Sequence, residues 1–192
     1  MTSARGLFLD LSIPSDDPLR RAKMMINESA PGFHLYEETE DTKVKVAWRS
    51  DFVWLVCVNE EDGLSFDLAE TVDGGNVLRA LWKGRELEDV ASLEVKLQAE
   101  PLWDVFRLRA VALIQQRVED QLKELYDSQD AVSQVDKGPD TALREELWQL
   151  AMRLRQLELT TLEQAYGDLE DEVSVVHLRT LPLAPPSRSK HG

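Results

Sequence analysis

The chain has 192 residues, enough for one domain with a full core, and its 43% hydrophobic content excludes a disordered polypeptide. Against 22 basic residues stand 36 acidic ones, a formal charge of −14 that argues against nucleic acid and anionic membranes and for a partner with a basic or lysine-bearing surface. The single Cys57 excludes a disulfide framework or thiolate cluster and points to a reducing compartment, cytoplasmic or nuclear, while neither a secretory signal nor a run of about 18 apolar residues for a membrane span is present.

Residues 6–13, GLFLDLSI, alternate Leu7, Leu9, Leu11 and Ile13 with polar or outward positions, the period of a strand with one buried face. Pro14 ends it. Ser15-Asp16-Asp17-Pro18 then opens a helix that carries Leu19, Ala22, Lys23, Met25 and Ile26, and Pro31-Gly32 closes it. Phe33 to Glu37 alternates again and is expected to pair with the first strand; the polar stretch Glu37 to Lys43 reads as a loop. Val44 to Val58, VKVAWRSDFVWLVCV, fits either period: its Val, Phe and Trp content favours a strand, and its three- and four-residue spacing a helix.

Asn59 to Gly63 reads as a turn or helix cap, Leu64 to Leu68 as a short apolar continuation, Asp73-Gly74-Gly75-Asn76 as a plain turn and Val77 to Trp82 as a short segment before Gly84. Ser92 to Pro101 turns helical. The strongest element is Trp103 to Tyr126, where Phe106, Ala110, Leu113, Val118, Leu122 and Leu125 line one stripe of a long helix. A second long helix is expected over Ala142 to Leu169, capped by Asp140 or Thr141, with Leu143, Leu147, Leu150, Leu154 and Leu157 packing on the first. Glu119 and Lys123 have the spacing of a helix-surface ion pair.

These pieces, LDLSIPSDDPLRRAKMMI, FHLYEE, VWLVCVNEEDGL, WDVFRLRAVALIQQRVEDQL and LWQLAMRLRQLELTTLEQAY, taken in this order over residues 6–170, resemble the Rubisco LSMT-type substrate-binding domain. That domain is the C-terminal part of a class of protein-lysine methyltransferases, where it follows the catalytic SET domain. The resemblance implies a helical fold, with Val44 to Val58 helical, and a role in holding the protein whose lysine is methylated. The Asn-His motif and the tyrosine-bearing motif of SET domains do not appear, since no His follows an Asn and Tyr36, Tyr126 and Tyr166 lie in unrelated contexts. No catalytic or cofactor-binding residue carries over, and S-adenosylmethionine enters only with a SET domain supplied elsewhere.

The expected architecture is therefore mostly α: a single helical, bundle-like domain over 1–180 with a small N-terminal β element, followed by a disordered Pro-rich and basic tail, 181–192. His34, His177 and His191 are too scattered for a metal site. The candidate partner-binding residues are the acidic Glu60, Glu61 and Asp62, able to receive a lysine or arginine, and Trp82, expected at the surface beside the Lys83-Gly84-Arg85 turn. Glu37, Glu38, Glu40 and Asp41 form a second acidic cluster. The expected function is protein recognition by a monomer; the alternative is an assembly protein that self-associates through its two long amphipathic helices.

Overall fold

The computed structural model describes residues 6–27, 30–133 and 142–180. The expected cap at Asp140 or Thr141, His191 and the tail 181–192 lie outside them. Alternation at the start of the chain forms β1 (Leu7–Asp10), and its inward set, Leu9 with the following Leu11 and Ile13, is buried. As expected from its pattern, β2 (Gly32–Glu40) pairs antiparallel with β1, Leu9 opposite Phe33. Gly32 permits the close approach, because a Cβ there would lie 2.2 Å from the Leu9 carbonyl oxygen.

The polar stretch after Glu37 is not a loop. It continues β2 and returns as β3 (Lys43–Arg49) through a turn at Asp41 and Thr42, both with positive φ, giving a sheet of order β1-β2-β3. Val44 to Val58 consequently answers to both periods in succession: β3 ends, Ser50 intervenes, and α2 (Phe52–Cys57) begins. The Ser50 hydroxyl donates to the Gly32 carbonyl at 2.7 Å and accepts the Val53 N–H at 3.0 Å, so one buried side chain both breaks the strand and starts the helix. All six α2 residues are buried, which leaves this helix no polar face and hence no legible period.

Between β1 and β2 lies α1 (Arg20–Ile26), whose Lys23 is fully buried. Its ammonium donates to the Val58 carbonyl at 2.8 Å, the Val56 carbonyl at 3.4 Å and Asn59 Oδ1, and pairs with Asp17 at 2.6 Å. A buried charge is tolerated only with such a complete set of partners, and here that set ties α1 to the C-terminal end of α2.

A second antiparallel sheet, of order β4-β5-β6, comes next: β4 (Leu64–Glu70), β5 (Asn76–Trp82) and the two-residue β6 (Arg85–Glu86). The segments read as short apolar pieces are thus paired strands, and the Gly74-Gly75 turn joins the first two. The two helices expected after them form, α3 (Ser92–Gln98) and α4 (Trp103–Ser133), the latter longer than its apolar stripe suggested. Arg107 with Glu172, Tyr126 with Glu163, and Arg155 with the Leu125 carbonyl show α5 (Ala142–Thr180) running antiparallel along α4. Among the described residues no Glu119–Lys123 ion pair forms.

With six strands in two antiparallel sheets and five helices among the described residues, the fold is mixed α and β, not the mostly helical, bundle-like domain expected. The physical reason is twofold: the charged outer positions of the β2–β3 hairpin look like a polar loop along the sequence, and the pairing of β4 with β5 depends on a partner strand that no short apolar run reveals. The helical seam also differs. On α4, Phe106, Ala110, Val118 and Leu122 of the expected stripe are buried, Leu113 and Leu125 only partly so, and Val111 and Ile114 join the buried face. On α5 the buried residues are Leu159, Leu162, Ala165 and Leu169, whereas Leu147, Leu150, Leu154 and Leu157 face outwards. No described helix is long and apolar enough to cross a membrane.

Candidate binding site: an acidic aromatic cleft

A cleft of about 690 Å³ opens where β2 and β3 meet the start of α4 and the C-terminal half of α5. Alternation along β2 places Tyr36, Glu38 and Glu40 on one face, and all three line it. From β3 come Lys45, Val46, Ala47 and Trp48, from α4 Trp103, Asp104 and Arg107, and from α5 Asp168, Asp171 and Glu172.

Two tryptophans, Trp48 and Trp103, line its wall, and a third lies behind them. Buried Trp54 of α2 lies between the half-buried Trp48 and Trp103, with ring centroids 5.6 Å and 5.0 Å apart, so the hidden ring fixes the two that border the cleft. Beneath them, burial and the Asp51 carboxylate push the Glu94 carboxyl up.

The carboxylates divide by employment. Asp168 accepts the Val46 N–H at 2.8 Å, and Gln164 one turn earlier donates to the Val44 carbonyl at 2.8 Å. Both backbone groups lie on the outer edge of the sheet, so α5 side chains satisfy what a further strand would otherwise take. Glu172 pairs with Arg107, whose guanidinium sits 6.0 Å over the Trp48 ring. Glu38, Glu40, Asp104 and Asp171 make no hydrogen bond or ion pair among the described residues. The cleft therefore has six carboxylates against Lys45 and Arg107, and aromatic faces beside the unpaired acids. Such a wall attracts a flexible cation: carboxylates supply charge-assisted hydrogen bonds and indole faces supply cation–π contacts, as Arg107 already demonstrates from within the chain.

None of the four residues expected to bind a partner lines this cleft. Glu60 and Glu61 are exposed in the turn after α2, where Asp62 is already engaged: it accepts the Asn59 N–H at 2.9 Å and pairs with Arg109 at 2.9 Å. Trp82, expected at the surface, is only 4% exposed. Its indole N–H donates to Glu100 at 3.1 Å and its ring meets Phe106 edge-on, because the strand that carries it turns it inward over α4. The second acidic cluster fares differently, since its Glu38 and Glu40 reach the cleft. Neither Trp48 and Trp103 nor the acids of α5 had a local pattern in the sequence that marked them as site residues.

Comparison with family models, with curated proteins and with solved structures finds no match. The resemblance to the substrate-binding domain accordingly rests on the quoted residues alone.

Proposed function

We propose that the chain is a protein-recognition module that receives a lysine- or arginine-bearing segment of another protein in the acidic aromatic cleft, in the manner of the substrate-binding domain it resembles. The observation that carries this reading is the pairing of unengaged Asp104 and Asp171 with the half-buried rings of Trp48 and Trp103 on one concave surface. A net charge of −14 adds long-range attraction for a basic partner and raises the rate of encounter. In this reading the partner's lysine stem lies along the indoles while its ammonium reaches the carboxylates, and the rest of the segment runs beside β2.

Isothermal titration calorimetry with a lysine-rich peptide tests it. Binding is expected with a Kd on the order of micromolar, weakening as salt rises, and Asp104→Asn with Asp171→Asn is expected to lower affinity by about tenfold or more. Absence of binding at roughly millimolar peptide, or an unchanged affinity in the double variant, would reject the proposal.

A further inference from the structure

The first half of α5 carries an apolar stripe that the fold leaves uncovered. Leu147, Leu150, Leu154 and Leu157 are 57, 51, 58 and 44% exposed, and they recur at intervals of three, four and three, the spacing of a coiled-coil seam. The same helix already buries a different stripe, Leu159, Leu162 and Leu169, against α4. The two stripes diverge around the helix, so packing on α4 cannot hide both. An exposed row of large apolar side chains on a helix marks an interface.

Leu147 and Leu150 lie 33 and 30 residues before Thr180, about 50 and 45 Å along the helix, and twelve residues span at most about 42 Å, so the length of 181–192 is too short to cover the whole stripe.

The continuation of the stripe along α5 limits how a second helix can sit on it. Seven and fourteen residues beyond Leu154 come Thr161 and Asp168, and seven beyond Leu157 comes Gln164, so the leucine face runs on into the face held by β3 through Asp168 and Gln164. A helix laid parallel on the stripe and continuing along α5 would run into the sheet. An antiparallel helix whose first turn abuts β3 would not.

We propose that this stripe is the contact between two copies of this chain, packed antiparallel through the first halves of their α5 helices. With Leu147 opposite Leu157 of the second copy, Leu150 falls opposite Leu154, so every leucine on each side meets a leucine. The twofold arrangement places each copy's Arg153 across from its counterpart at the margin, a repulsion that salt relieves. Closing the contact removes roughly 700 Å² of leucine surface, about half of a standard specific interface, with flanking residues supplying the remainder; the dimer is therefore weak.

Sedimentation velocity of the full chain tests it. A monomer–dimer equilibrium in the micromolar range is expected, tightening as salt rises, and Leu150→Glu with Leu154→Glu is expected to abolish it while circular dichroism and melting temperature stay unchanged. Mixing Leu147→Cys with Leu157→Cys chains under mild oxidation should give the crosslinked heterodimer ahead of either homodimer, and buried Cys57 does not compete. A monomer at about 200 µM, a dimer indifferent to the Glu substitutions, or preferential Leu147→Cys homodimers would each overturn the proposal.

Discussion

Trp82 and Lys23 show how little a residue's type says about its employment. A tryptophan beside a Lys-Gly-Arg turn looks like a surface anchor, yet its strand partner Leu64 and the edge-on Phe106 enclose it, and Glu100 takes its N–H. Trp82→Ala is therefore expected to cost about 3–5 kcal/mol in urea unfolding, from the cavity and the lost contact with Glu100, while leaving peptide binding at the cleft unchanged in the folded fraction. A loss below about 1 kcal/mol would place the ring outside the core. Lys23 was legible only as a helix residue. Its burial depends on carbonyls 33 and 35 positions away, which no local pattern contains.

At the level of elements, α5 separates periodicity from burial. Five leucines at helical spacing form a more conspicuous stripe than Leu159, Leu162, Ala165 and Leu169, but the path of α4 and the edge of β3 determine which side of the helix is covered. Leu162→Ala is expected to cost about 2–5 kcal/mol, whereas Leu154→Ala should stay within about 0.5 kcal/mol when measured at concentrations where the chain is monomeric. Equal losses at both positions would restore the leucine stripe as the seam. The β2–β3 hairpin is hidden in the sequence for a related reason: Glu37, Glu38, Glu40 and Asp41 make its surface polar at consecutive positions, so no alternation survives to signal a strand. Both halves of Val44 to Val58 carried a signal, and the one that resolves them, Ser50 before a helix, was present in the sequence.

For the whole molecule, titration links charge to stability. Hydrogen bonds from Arg117, Arg79 and Lys83 hold Asp10, Asp67 and Glu100 below the usual carboxylate range, so the native state binds fewer protons than the unfolded chain, and the stability these groups contribute is lost as pH falls through that range. Glu94, pushed up by burial, acts with the opposite sign. On the alkaline side, burial pushes the Cys57 thiol from its ordinary 9.0 up to about 12. Because the unfolded thiol ionises first, its contribution is complete below pH 9 and declines towards 12. Urea unfolding across this range should show that decline, and Cys57→Ala should flatten it; an equal alkaline slope in both proteins would assign the effect to other groups. By itself the sequence determined the acidic character, the pairing of the first two strands, α3 and the core face of α4, because each is written in local composition or in a period of two or 3.6 residues. The second sheet, the covered side of α5 and the cleft were decided only by tertiary structure, since each depends on which distant backbone edge or helix occupies the space beside a given residue.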